Sequence, residues 1–545
     1  MRTTDDAQPL AAAGYDEHHR QPPLPSSSQM VRNEKVGHLD LGAGYVGPTQ
    51  NRLLRLAREY GVKTYCTHER EDVVCRRNGV SKRYKDGIFP PTGSFLSWLD
   101  LNNMVRLLDS MCRERVWQTW SMTKCGPGAC AGSVESPRAR EWDTMTVQQF
   151  LDAHLWTRSA LETMKAYVNV NVTSEPHEVS LLWFLWYLAS AGGPLRIFAT
   201  SNGGQERKFI GGSQQISEGL VQTIGKEKVL LSTQVCKIEQ KGTGVSIYDM
   251  GGHEYQASHC IVALAPPLQT RITWLPSLPA RRNQMLQRLP MGSVIKTFVY
   301  YKTPFWRHKG LCGSAFIYDE EELVSITLDH VQHDGSHPAL MGFVLADRAR
   351  ACGDMRVEER KRQICELYAK VFQSEEALEP VHYEEKNWAA DEWSGGCYTV
   401  MMPPGLLTIF GEEIRAPVGR VHWAGTETAS QWTGYMEGAI QAGERAAREI
   451  LHEKGLVAAS DIWQDEQEDE DVRAQPMELS RLEKLAPSLP AFLSIVVVTS
   501  ARSRVEKAAI AAAAMETMPT GGRHQCVRVC VYAGLCDRAL ASLSA

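Results

Sequence analysis

The chain has 545 residues, a formal net charge of -5 and 43% hydrophobic residues. That length exceeds one small domain and that apolar fraction can bury a sizeable core, so two interleaved globular domains are expected. The mild charge argues against a nucleic-acid partner. Fourteen cysteines in so long a chain, with no secretory leader in view, point to a reducing compartment rather than a disulfide scaffold.

In chain order, residues 1–30 are polar and without apolar periodicity, and are expected to be disordered. Residues 36–41 read as a strand and residues 50–57 as a helix, with Gly42-Ala43-Gly44-Tyr45-Val46-Gly47 between them. The pattern mimics a dinucleotide fingerprint, but Pro48 and the bulky Tyr45 suit a pyrophosphate cradle poorly. Residues 112–140, rich in glycine, proline and serine, read as a surface excursion. The apolar run 181–188 falls short of the ~20 residues that span a bilayer and reads as a buried helix. In residues 293–300, β-like alternation puts Lys296 on the face opposite Ile295 and Thr297, where a lysine ordinarily meets solvent.

Residues 394–448 carry the most chemistry. A short apolar strand runs into Gly425-Thr426-Glu427, and a helix opens near Thr433-Gly434, leaving backbone N–H groups to face an electron-rich ligand. Small residues then recur at helical spacing, Gly438, Ala442, Ala446 and Ala439, Gly443, Ala447, while Glu437, Gln441, Glu444, Arg445 and Arg448 fill the other face. Such a stripe alone is more often close helix packing than a cofactor box. Cys397, flanked by Gly395, Gly396 and Tyr398, shifts the balance, because a thiol in a glycine turn is open to a bulky electrophile; the plainer alternative is a buried spare cysteine. A flavin would suit these features. Downstream, the acidic run 465–471 reads as a solvated linker, and the apolar stretch 491–498 ends in polar and charged residues, too short for a membrane anchor. Histidines and cysteines show no zinc-type spacing, and there is no nucleophile elbow.

Several longer runs occur in collinear order: Pro176-His-Glu-Val-Ser-Leu-Leu-Trp183, Asn202-Gly-Gly-Gln205-Glu-Arg-Lys208-Phe209, Gly292-Ser-Val-Ile-Lys296, His382-Tyr-Glu-Glu-Lys-Asn-Trp388, Ser394-Gly-Gly-Cys397-Tyr398-Thr399 and Gly434-Tyr435-Met436-Glu437-Gly438. Over roughly residues 31–480 the chain closely resembles vertebrate-type flavin monoamine oxidases. The resemblance implies an α/β, FAD-dependent amine oxidase fold. Residues 31–77, 211–285 and 391–453 would form a discontinuous FAD-binding domain, residues 78–210 and 286–390 a mixed-sheet substrate domain, and residues 454–545 a tail. It further implies FAD held by a thioether from Cys397 to the 8α carbon, with Trp388, Val235, Gly425, Thr426, Gly434, Met436, Gly44 and Tyr45 around the cofactor. Tyr398 and Tyr435 would form an aromatic cage that the amine passes through. Lys296 would lie near flavin N5 as a proton relay, its pKa lowered by burial, and Phe198, Gln205 and Ile326 would line the substrate cavity. Phe198 with Ile326 matches the family's A form, a rounder cavity suited to an indole-ethylamine.

The implied reaction oxidises neurotransmitter-type monoamines to aldehydes, with dioxygen reduced to hydrogen peroxide and no metal. By the same resemblance the partners are an amine, dioxygen and a second copy in a homodimer, at the cytosolic face of the mitochondrial outer membrane. Three departures accompany it, one being the 112–140 segment, which is longer and more irregular than the family loop. No first βαβ unit with a GxGxxG turn precedes Val31, and the tail helix is interrupted. They raise an alternative, a truncated or splice-type variant impaired in flavin binding that acts through pairing with an intact subunit. A polyamine or amino-acid oxidase is a third reading, disfavoured by Cys397 and the tyrosine pair.

Overall fold

A computed structural model describes residues 29–85, 92–114 and 137–496. The expectations for residues 1–28, for most of the 112–140 segment and for residues 497–545 lie outside the described residues.

The first elements are an antiparallel hairpin of β1 (Met30–Asn33) and β2 (Gly37–Asp40), followed by β3 (Tyr45–Val46), helix α1 (Asn51–Glu59) and β4 (Thr64–Cys66). The glycines at 42, 44 and 47 thus lie among antiparallel strands. A dinucleotide cradle needs a parallel strand feeding straight into a helix, which this segment does not supply. β5 (Asp72–Arg77) and β6 (Val80–Tyr84) make a second hairpin. Helices α2 (Phe95–Cys112), α3 (Arg158–Val172) and α4 (Leu181–Ser190) follow, with α2 packed on the other two. Every residue from Leu181 to Leu188 is buried, which is why α4 can be apolar around its whole circumference.

β7 (Arg207–Phe209) pairs antiparallel with β3 and β4. Next come β8 (Val235–Lys241), β9 (Gly244–Asp249), β10 (Glu254–Ala257), β11 (Cys260–Val262) and β12 (Thr273–Leu275), of which β10-β9-β8-β12 form one sheet. The largest sheet uses β13 (Val294–Tyr300), β14 (Leu311–Ile317), β15 (Ile326–Asp329) and β16 (Ala339–Leu345). After helix α5 (Val357–Phe372), strand β17 (His382–Asn387) completes it in the order β17-β13-β16-β15-β14-β5-β6. Its pairs are antiparallel except β14 with β5. Last are β18 (Val421–Trp423), parallel to β11, and helix α6 (Met436–Glu453).

β13 is buried at all seven positions. Ile295 and Val299 pack toward α5, whereas Val294 and Phe298 pack with Val36, Leu39 and Trp388 on the opposite face. Lys296 shares that second face and is buried, where a strand lysine ordinarily meets solvent: the strand is internal and both sides of the sheet are covered. A domain boundary at 77/78 would divide the β5–β6 hairpin, because both strands belong to the large sheet.

Two surface expectations also change. The acidic run 465–471 is docked rather than solvated. Arg55 donates to Glu466 at 3.1 Å, Arg58 pairs with Asp469, and Arg52 donates to the Gln464 carbonyl at 2.5 Å. Asp469 is 6% exposed and accepts the Asp471 and Val472 N–H groups. Arginines three apart on α1 form the row that holds this segment. Residues 489–496 are helical, with Leu489 buried beside Leu99 and the Phe492 ring edge-on to Phe95. Among the described residues no helix is long and apolar enough to cross a membrane.

Candidate active site

Lys296 of β13 projects into a cavity of about 410 Å³, bounded by the large sheet, by α3 and α4 and by the start of α6. Its ammonium donates to the carbonyls of Asp40 at 2.9 Å and Gly42 at 2.7 Å. Burial is the main influence on it and lowers its pKa to about 7, with Asp40 opposing and Lys208 adding. Burial also raises the pKa of Asp40, which accepts the Ser213 N–H and hydroxyl at 3.0 and 3.1 Å. Trp388, just past β17, donates its indole N–H to the Leu41 carbonyl at 3.2 Å and forms a wall.

The Cys397 segment is held by close backbone approach. Gly396 has φ +141°, and a Cβ there would collide with Met291 and the Gly292 carbonyl. A Cβ on Gly292 would overlap the Thr173 hydroxyl and the Cys397 carbonyl. The Cys397 N–H donates to Gly292 at 3.0 Å, and the Tyr398 N–H donates to the Thr173 hydroxyl at 3.2 Å. Thr173 in turn donates to the Cys397 carbonyl. Cys397 is 5% exposed, and burial pushes its thiol up to about 12.

Tyr398 and Tyr435 both face the cavity. Tyr398 stands edge-on to Phe343 at 6.5 Å, and Tyr435 stands edge-on to Trp432 at 4.8 Å and 6.4 Å from Tyr187. Phe198, Gln205, Ile326, Gly44, Tyr45, Gly434 and Met436 complete the lining among the sequence-derived candidates. The Phe198 ring lies 5.0 Å from Tyr167 and 5.9 Å from Phe316. Buried Gln205 Oε1 has no hydrogen-bond partner among the described residues.

Three candidates do not reach the cavity. Val235 opens β8 in the four-stranded sheet and packs against the core. Gly425, at φ +97°, makes the turn between β18 and α6. Thr426 acts from behind, its hydroxyl donating to the Tyr435 carbonyl at 2.9 Å. A turn near a cofactor motif in sequence can support the wall without forming it.

The face assignment of α6 also needs correcting. Gly438, Ala442 and Ala446 are buried, but Ala439 and Ala447 are exposed, and Glu437, Gln441 and Arg445 are buried instead. Each of these polar groups is answered from another element. Glu437 accepts the Arg52 and Leu53 N–H groups at 3.3 and 2.8 Å, and so caps α1, whose own N-cap Gln50 offers no side-chain bond.

Sequence reasoning missed Glu69 and Ser314. Both line the cavity, and Ser314 Oγ donates to the Glu69 carboxylate oxygens at 2.8 and 3.0 Å. Burial raises the Glu69 pKa to about 7. Glu69 lies in a polar stretch between short strands, where nothing local separates an inward carboxyl from a solvated one. Lys208, within a quoted run but given no role, donates to the Asp329 carbonyl at 2.8 Å, and burial lowers its pKa to about 8.

A mixed-sheet domain under a buried thiol, an aromatic cavity and an internal lysine defines a class, the flavin-dependent amine oxidoreductases. The family model for flavin containing amine oxidoreductases matches residues 32–451. A zebrafish (Danio rerio) flavin-containing amine oxidase is 49% identical over 489 residues, covering 90% of this chain and 91% of the relative. Human amine oxidase B and bovine amine oxidase A are each 48% identical, covering 86% of this chain and 88% and 86% of the relatives. Among solved structures, cyclohexylamine oxidase from Brevibacterium oxydans IH-35A aligns with a TM-score of 0.72 at 29% identity, over 79% of this chain and 91% of that one. Wild-type putrescine oxidase bound to putrescine aligns with a TM-score of 0.72 at 27% identity, over 79% and 92%. The chain belongs to the flavin-containing amine oxidase family and is an FAD-dependent enzyme of oxidative amine deamination. The residues present suit that cofactor: a mostly apolar cavity, an internal lysine, a glycine-framed thiol and an orphaned amide oxygen await a ring system with its own polar atoms.

Proposed function

We propose that the substrates are aryl-alkyl monoamines of the neurotransmitter type, with an A-like preference for indole-ethylamines over small benzylamines. Overall identity does not separate the A and B forms, since relatives of both kinds match at 48%. The preference rests on Phe198 and Ile326, whose side chains line the same cavity, one a large ring and the other a short aliphatic.

Bound FAD would supply the two-electron oxidant for the amine α-carbon and return the electrons to dioxygen. Cys397 is proposed to hold the flavin through a thioether to its 8α carbon, on a segment fixed by Gly292, Thr173 and Gly396. Tyr398 and Tyr435 would orient the amine, their faces attracting its nitrogen as it sheds water. Lys296, held by two carbonyls and titrating near neutrality, is suited to accept and return a proton. Gln205 Oε1 would accept a hydrogen bond from a bound N–H group.

The observation that carries this reading is the convergence of Cys397, Tyr398, Tyr435, Lys296 and Trp388 on one cavity. The test is peroxide production by the full chain with serotonin-like and benzylamine-like substrates, paired with flavin absorbance after acid precipitation. Faster turnover of the indole amine with precipitated flavin supports the reading, and preferred oxidation of the benzylamine discards the A-like assignment. Action at the cytosolic face of the mitochondrial outer membrane is part of the same proposal and is tested by fractionation.

A further inference from the structure

We propose that His259, His422 and Glu453 form a site for a borderline divalent metal, Zn²⁺ above all, at the C-terminal end of α6. The site is separate from the oxidation chemistry. The rise along α6 from Met436 at the cavity to Glu453 is about 25 Å.

The tertiary structure assembles these ligands from three places. Parallel pairing of β11 with β18 sets Cys260 beside Val421 and Ile261 beside His422. His259, immediately before β11, thereby comes alongside His422, with ring centroids 5.9 Å apart. The last turns of α6 cross this pair and present Glu449 and Glu453, one turn apart. The ligand atoms of His259, His422 and Glu453 all lie within 4.8 Å of one another.

His422 carries the argument. It is fully buried, and its Nδ1 lies 3.0 Å from Glu449 Oε2. A carboxylate accepts, so Nδ1 carries a proton toward Glu449, and in the neutral ring Nε2 is the atom left to bind a metal. That Nε2 makes no hydrogen bond and faces Glu453 Oε1 at 3.4 Å. His259 Nε2 stands 3.1 Å from Glu453 Oε2. A metal ion between these atoms would take the place of the ring proton through which His259 otherwise hydrogen-bonds Glu453. Donors bound at about 2.0–2.1 Å in a tetrahedral zinc site are themselves about 3.3 Å apart, close to both distances here.

A metal's outer support is present as well. Glu449, which would fix the tautomer and basicity of His422, accepts Arg445 Nη1 at 2.5 Å. Arg445 also donates to the Trp423 carbonyl at 2.5 Å and to Thr428 Oγ1 at 3.0 Å. Such carboxylate–histidine arrangements orient metal-binding imidazoles. The Glu453 side chain is 42% exposed, which gives the ion an entry path and a water for the fourth position. Imidazole and carboxylate donors together favour zinc over calcium or magnesium. Bound there, the ion would pin the end of α6 to the β11–β18 pair.

The test is zinc stoichiometry by equilibrium dialysis of the chelator-treated full-length protein, with Tm measured alongside. Because the chain also carries many thiols, the informative quantity is the difference between wild type and variants. Wild type should bind one equivalent more than either Glu453→Gln or His259→Gln, and only wild type should gain Tm from that equivalent. Glu449→Gln should keep the site but weaken it 10–100-fold. Co²⁺ in the site should give a tetrahedral spectrum without thiolate charge transfer. Equal zinc binding in wild type and both ligand variants, or cobalt bands dominated by thiolate, overturns the proposal.

Discussion

Lys296 and Arg52 are almost equally withdrawn from water, at 5% and 2% exposure, but their surroundings are built in opposite ways. Lys296 meets two backbone carbonyls, and the nearby Asp40 is itself pushed toward its neutral form. Arg52 meets Glu437 at 3.2 Å, Glu444 at 3.6 Å and the Gln464 carbonyl at 2.5 Å. Carbonyl dipoles compensate a buried ammonium only in part, so burial brings its titration to neutrality. A buried cation matched by carboxylates becomes a fixed joint instead, here tying α1, α6 and the acidic run together. Equal burial thus yields a proton-exchanging group in one place and a clamp in the other.

The largest expected effect falls on the cavity side. Lys296→Met should lower turnover by about 100-fold or more while flavin stays bound; unchanged rates under stopped-flow assay would erase the functional half of the contrast. Cys397→Ala should abolish covalent attachment, read by mass spectrometry of the peptide that contains it, while the fold persists. On the clamp side, Glu437→Ala should cost about 3–5 kcal/mol of stability, since it removes the nearer of the two carboxylates facing buried Arg52 and uncaps α1. Urea unfolding checks this, and a loss under about 1 kcal/mol would show that the carboxylate is dispensable.

The pH dependence sharpens the comparison further. Folded Lys296 releases its proton near 7, against 10.5 for an ordinary lysine. Between those values the unfolded chain binds the extra proton, so this contribution to stability is lost as pH falls and grows as pH rises, by at most about 1.4 kcal/mol per unit. Glu69, near 7 against 4.5, works in reverse, its contribution falling as pH rises from 4.5 to 7. Denaturation of wild type against Lys296→Met from pH 7 to 10 should show wild type gaining, and parallel curves would contradict it. The smallest effect concerns specificity: Phe198→Ile with Ile326→Tyr should move the kcat/KM ratio about tenfold toward long, narrow amines.

Much of the site was legible because its residues come in contiguous runs. The glycine-framed Cys397-Tyr398, the Gly434-Tyr435-Met436 helix start and the β-like segment around Lys296 each carry a local geometric requirement. What lay beyond local reading was partnership. Polar Glu437, Gln441 and Arg445 look like a solvent face until α1 and the 428–431 segment answer them, and the acidic run looks solvated until the α1 arginines meet it. Glu69 and the His259–His422–Glu453 cluster had no signal at all, because their neighbours are remote along the chain.

The amino-acid sequence by itself determined the family, the cofactor class and the segments that frame the thiol and the two phenols, since glycine placement, aromatic choice and strand alternation act over a few residues. Only the tertiary structure decided which charges are buried, which turns reach the cavity and which histidines meet. Desolvation and pairing depend on what packs across from a side chain, and that information resides in the contacts between elements.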